Sequence, residues 1–162
     1  MHRRFARSIV ALLVTVAAAS LSTGAAHAVP WNSVDFFPPK DPVETPFCGF
    51  DYVDPNDFGR YDRSDVTVSS PSPGQVVFRF RTQSESVAPY TQKATLVWAN
   101  LDSGISGVGD TTVRIDEGGT TIVLPVQTTG SGRIMAVTGV NNTSDDGQKY
   151  TSNDCSAEYT VP

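Results

Sequence analysis

Histidine is missing from the whole stretch between Val29 and Pro162; the two in the chain, His2 and His27, both precede it. A serine or cysteine hydrolase of the usual kind needs an imidazole to take the nucleophile's proton, and many zinc sites need one as ligand. Cysteine is almost as scarce, with Cys48 and Cys155 alone, too few for a four-sulfur metal site. None of Lys40, Lys93 and Lys149 has a serine three residues before it, so no Ser-x-x-Lys dyad stands in for the missing base. No window carries apolar residues at a 3.6-residue period, which excludes amphipathic helices as the framework. Basic residues are also few.

The N-terminus accounts for part of that shortage. Residues His2-Arg3-Arg4-Phe5-Ala6-Arg7 form a cationic stretch, Ile9–Leu21 an apolar one, and Ala26-His27-Ala28 a small-x-small triplet. This order is the one a translocase and a signal peptidase read. The apolar stretch is shorter than the ~20 residues a membrane-spanning helix needs. The sequence therefore predicts a signal peptide over 1–28 cleaved between Ala28 and Val29. The general secretory route fits better than the twin-arginine one, because Phe5 directly follows the arginine pair. Cleavage removes Arg3, Arg4 and Arg7 and no acid, leaving 9 of the 12 basic residues against 17 acidic ones, a balance of −8. So acidic a surface repels nucleic acid and anionic membranes. The expected location is extracellular, with no integral membrane segment in the mature chain.

From Val29 to Pro46 the chain is punctuated by Pro30, Pro38, Pro39, Pro42 and Pro46, which favours an extended arm over a helix or a central strand. Trp31, Phe36 and Phe37 on this arm are candidate binding residues; the plainer reading is that they cover a sheet or its edge. Strand signals dominate afterwards. Val76, Phe78 and Phe80 alternate with Arg79 and Arg81, and Ala94, Leu96 and Trp98 repeat the pattern. Ile122, Leu124 and Val126 predict another strand, reached from Val113 and Ile115 through a hairpin-like turn at Glu117-Gly118-Gly119. Ile134, Ala136, Thr138 and Val140 come next, then a polar loop over 141–147, then Cys155, Ala157, Tyr159 and Val161 on one face. The expectation is an all-β, antiparallel, immunoglobulin-like sandwich of seven or eight strands over 47–162, following the signal peptide and the arm.

In an exported chain Cys48 and Cys155 are read as one disulfide, tying the region of the first strand to the last. The remaining chemistry is sparse. A carboxylate pair such as Asp102 with Asp116 or Glu117 could serve a glycosidase-like hydrolase, but Asp116-Glu117-Gly118-Gly119 reads more simply as a solvated turn. Asp51, Asp54, Asn56, Asp57, Asp62 and Asp65 crowd one stretch without the spacing of a calcium loop, so no metal or cofactor is assigned. Asn141-Asn142-Thr143-Ser144 holds two overlapping glycosylation sequons.

The order Cys48-Gly49-Phe50-Asp51, Ala99-Asn100-Leu101-Asp102-Ser103-Gly104, Asp116-Glu117-Gly118-Gly119-Thr120 and Gly130-Ser131-Gly132-Arg133 resembles a group of small secreted actinobacterial β-sandwich proteins. The likeness spans about residues 47 to 135 and rests on turn residues. It implies a secreted sandwich and carries over no functional residues, since the group has no established activity. The functional expectation is a non-catalytic binding or structural module, associated with the cell envelope, whose partner is an extracellular protein or polysaccharide. An inhibitor of a secreted hydrolase, acting through 103–110 or 141–149, is the alternative.

Overall fold

The computed structural model describes residues 42–162, leaving aside the side chains of Asn153 and Asp154. The expected cleavage site at Ala28 and Val29 and the aromatics Trp31, Phe36 and Phe37 lie outside the described residues. Nine strands follow in chain order: β1 (Thr45–Asp54), β2 (Asp57–Ser69), β3 (Gln75–Gln83), β4 (Tyr90–Asn100), β5 (Ser106–Ile115), β6 (Thr120–Val123), β7 (Gln127–Thr128), β8 (Gly132–Ser144) and β9 (Lys149–Val161). One sheet has the order β1-β2-β3-β6, with β7 also on β3; the other has the order β5-β4-β8-β9. Every pairing is antiparallel. Among the described residues there is no helix, and therefore none long and apolar enough to cross a membrane.

The period of two expected of a half-buried strand is realised on both sheets. Val76, Phe78 and Phe80 are buried while Arg81 is exposed; Ala94, Leu96 and Trp98 are buried while Val97 faces outward; Ile134, Ala136, Thr138 and Val140 are buried. These inward rows meet as one core. Trp98 lies against Gly107, its partner on β5, where a Cβ would come within 2.7 Å of the indole. A flat ring laid across a neighbouring strand needs a residue without a side chain beneath it.

Three sequence expectations are corrected. The strand expected through Ile122, Leu124 and Val126 is broken: β6 ends at Val123, β7 starts at Gln127, and Val126 is exposed. Pro125 lies between them, and proline has no N–H to give a ladder. The Glu117-Gly118-Gly119 turn is no hairpin, because β5 pairs with β4 and β6 with β3; it carries the chain from one sheet to the other. Gly119 has φ +93°, and a Cβ there would sit 2.0 Å from the Thr82 carbonyl oxygen, so only glycine makes this crossing. The polar loop expected over 141–147 is mostly strand, since β8 continues to Ser144.

Of the β1–β2 hairpin the hydrophobic pattern reveals only the alternation of Val66 and Val68 on β2. The hairpin turn, Asp54-Pro55-Asn56-Asp57, closes when the Asn56 amide donates to Asp54 Oδ1 at 2.8 Å. Phe50 and Tyr52 face inward, and Phe47 meets Phe78 edge-on at 5.2 Å; Phe58 and Tyr61 point to solvent. Cys48 on β1 and Cys155 on β9 form the disulfide, with Cα atoms 6.0 Å apart. It joins an edge strand of one sheet to an edge strand of the other.

Candidate binding surface

Four connections gather at one end of the two sheets: the β1–β2 turn, the β3–β4 loop over 84–89, the β5–β6 turn over 116–119 and the β8–β9 turn over 145–148. Beneath them the interior changes character. Tyr52, Asp54, Asp62, Ser64, Thr82, Ser84, Tyr90, Gln92, Asn142 and Ser144 are all buried. They continue the inward rows that, further along the same strands, carry valine, phenylalanine and isoleucine.

Apart from Asn142 and Ser144, these buried polar groups form a connected set. Tyr90 donates its hydroxyl to Asp62 Oδ2 at 2.7 Å, and Ser84 donates to the same oxygen at 3.0 Å. Asp62 Oδ1 accepts the Glu85 amide at 3.0 Å. Thr82 donates to Gln92 Oε1 at 2.7 Å, and Gln92 Nε2 donates to the Tyr52 hydroxyl at 2.8 Å, which bridges the two sheets. Burial, then the neighbouring Tyr52, pushes the Tyr90 hydroxyl well above the ordinary tyrosine range, so it stays a neutral donor.

This network fastens the β3–β4 loop from below. Asp62 holds Ser84 and Glu85. Asp54, fully buried, has the Ser86 hydroxyl 3.0 Å from its Oδ1. The β1–β2 turn adds Asn56 Nδ2, which donates to Ser86 Oγ at 2.9 Å and to the Ala88 carbonyl at 2.7 Å. From the side, Arg60 Nη1 donates to the Glu85 carbonyl at 3.2 Å. A loop anchored at three successive residues by buried acceptors keeps its shape.

Between this loop and the Asp116-Glu117-Gly118 turn runs an open groove of about 820 Å³, with Arg60 on its wall. The wall carries Glu85, Asp116 and Glu117 against Arg60, an excess of negative charge. Nearby, the exposed β8–β9 turn is tied to β5 by a two-pronged contact in which Arg114 donates to both Asp145 oxygens, at 2.5 and 2.6 Å. That pairing pulls the Asp145 carboxyl below its ordinary value, and the Ser144 hydroxyl does the same for Asp146.

The residues singled out from the sequence distribute differently. Asp102 sits in the turn before β5, where its carboxylate accepts the Arg133 amide at 2.8 Å. Asp116 and Glu117 follow β5. Ten extended residues lie between them, roughly 30 Å, so this pair forms no shared cleft. The aspartate-rich stretch is dispersed by strand alternation. Asp51 and Asp65 pair with Arg63 at the surface, Asp57 pairs with Arg60, and Asp54 and Asp62 turn inward. Among the described residues no three acidic, histidine or cysteine side chains converge to hold a metal ion. Asn142, a sequon residue, is buried within β8 and out of reach of a modifying enzyme in the folded chain. The segments 103–110 and 141–149 combine strand, over 106–110 and 141–144, with the exposed turns 103–105 and 145–148.

The groove was not legible as a site because its parts are far apart in sequence and of ordinary turn composition. The one local signal was the alternation of serine with other residues at Ser84 and Ser86. Together the fold and this end define an all-β protein of two packed antiparallel sheets with a braced loop over a polar interior. No family model and no curated protein matches the sequence.

Proposed function

We propose that this chain is an exported, non-catalytic binding module of immunoglobulin-like topology, whose ligand seats in the groove between the 84–89 loop and the 116–118 turn. The observation that carries this reading is the bracing of the loop by Asp54 and Asp62. Buried carboxylates fixing three successive loop residues are a costly way to hold a connection that does nothing. The topology supports it by fold-level analogy: β2-β3-β6 and β5-β4-β8-β9 correspond to the A-B-E and C′-C-F-G strands, with β1 added at the edge. The B–C and F–G connections of that scheme fall at the groove end, the end that immunoglobulin variable domains use for recognition.

The excess of Glu85, Asp116 and Glu117 over Arg60 suits a ligand that presents positive charge, such as a basic segment of an extracellular protein or an amino-bearing polysaccharide. Titrating the isotopically labelled protein with a lysine-rich peptide, a glucosamine oligomer and an uncharged glucan tests this. Amide shifts confined to 84–89 and 116–119, weakened by salt and by Asp116→Asn with Glu117→Gln, are expected. Shifts elsewhere, or none with either cationic probe, would overturn it. Export is tested separately by sequencing the N-terminus of protein released by the host, which should begin at Val29.

A further inference from the structure

Each sheet of a sandwich ends in edge strands, which need protection against pairing with other chains. Here the edges differ. β1 carries Pro46 and a register shift beside it, β6 has only four residues before Pro125, and β9 runs against β8 across a register shift at 138–140. β5 has none of these devices. It matches β4 over ten consecutive pairs, Ser106 to Ile115, without a shift, and among the described residues it pairs with no other strand. Its outward charges, Asp110 and Arg114, are paired with Lys93 and Asp145; Ile105 to Gly109 carries no charge at all.

Within that uncharged stretch Val108 is 73 % exposed, more than any other large apolar residue described. It stands directly opposite Val97 on β4, which stands opposite Val137 on β8, and all three face outward. We infer that β5 pairs antiparallel with β5 of a second copy, about a two-fold axis passing beside Val108. Only then does the row Val137-Val97-Val108 continue into the partner's Val108, Val97 and Val137 on one eight-stranded sheet. In this register Asp110 lies opposite the partner's Ser106, whose hydroxyl can donate to it. A register centred on Asp110 would set two carboxylates face to face, which is unfavourable. The pairing is isologous and closes on itself, as a dimer must, and antiparallel strands leave the two grooves at opposite ends.

The test is the mass of the protein as its host produces it, measured by sedimentation equilibrium over a wide concentration range. A dimer is expected, and Val108→Lys should raise its dissociation constant roughly tenfold or more by opposing two ammonium groups, while the circular dichroism spectrum of the variant stays that of the parent. Val108→Cys should give an interchain disulfide under mild oxidation, because directly paired residues bring Cα atoms within about 5 Å. Thr112→Cys, on the same face but about 27 Å from its counterpart in this register, should not. A monomer at every concentration overturns the inference, as does a dimer indifferent to Val108→Lys or one that cross-links through Thr112 as readily as through Val108.

Discussion

The two halves of the interior are built on the same strands by different chemistry. Toward the β2–β3 and β4–β5 turns, Val66, Val68, Phe78, Phe80, Leu96, Trp98, Ile134 and Ala136 fill the space between the sheets. Toward the groove, Tyr52, Asp62, Ser64, Thr82, Tyr90, Gln92 and Asn142 take the equivalent places. Apolar burial is non-directional, so the first half supplies cohesion without dictating where any loop goes. Hydrogen bonds are directional and penalise an unmade partner, so the second half has less net cohesion and more control over geometry. Two asparagines show the contrast in miniature. Asn100 donates to the carbonyls of Thr129 and Ser131 and accepts the amides of Asp102 and Ser103, stapling two turn segments together. Asn142 is as deeply buried, yet neither atom of its amide has a partner among the described residues.

This division can be broken from either side. The largest effect is expected from Phe78→Ala in the apolar half, which should cost about 3–5 kcal/mol in urea unfolding and lower hydrogen-exchange protection throughout. Asp62→Ala removes the acceptor shared by Tyr90, Ser84 and Glu85 and should cost about 2–3 kcal/mol. Its signature is local: the amides of 84–89 lose more protection than those of β4 or β8. Equal losses everywhere would mean the polar half is merely more core. Tyr90→Phe deletes one donor and should cost about 1 kcal/mol by the same measurement.

The asparagines sharpen the point. Asn100→Leu abandons four hydrogen bonds and should cost about 2 kcal/mol, whereas Asn142→Leu should lie within about 1 kcal/mol of the parent, on either side. Similar costs for the two would show that Asn142 has a partner as firm as those of Asn100. The smallest effect concerns pH. The folded Asp145 and Asp146 carboxyls are held below their ordinary value of 3.8, by Arg114 and by Ser144 respectively. Their stabilisation is thus complete above that value and is lost as pH falls through the lower folded values. Following the Gln148 amide by NMR from roughly pH 5 to 2 should show the β8–β9 turn loosening only at the acid end. Loosening already near pH 5 would contradict the direction of both shifts.

The apolar half was largely legible in the sequence, because alternating valine, phenylalanine and isoleucine is the signal that strand reading detects. The polar half was not. Thr82, Ser84, Gln92, Asn142 and Ser144 have the right parity for burial but the wrong polarity, so the same rule reads them as surface or loop. That is why β8 was expected to end near Val140. Most of the hairpin of β1 and β2 escaped for a related reason, since Tyr52, Asp54, Asp62 and Ser64 alternate inward without an apolar row to mark them. The groove was less legible still, because Arg60, Ser84, Ser86 and Glu117 come together only when strands from different parts of the chain are paired.

What the sequence by itself determined is the all-β class, the inward rows of its apolar strands and the pairing of its only two cysteines. Each follows from residue type and spacing, which act locally or by elimination. Tertiary structure decided the rest. Whether Glu117-Gly118-Gly119 makes a hairpin or crosses between sheets depends on which strands its neighbours pair with, and no local pattern contains that choice. The inward turn of Asp62 likewise depends on Tyr90, Ser84 and the Glu85 amide arriving from other strands, because only together do they offset the cost of burying its carboxylate.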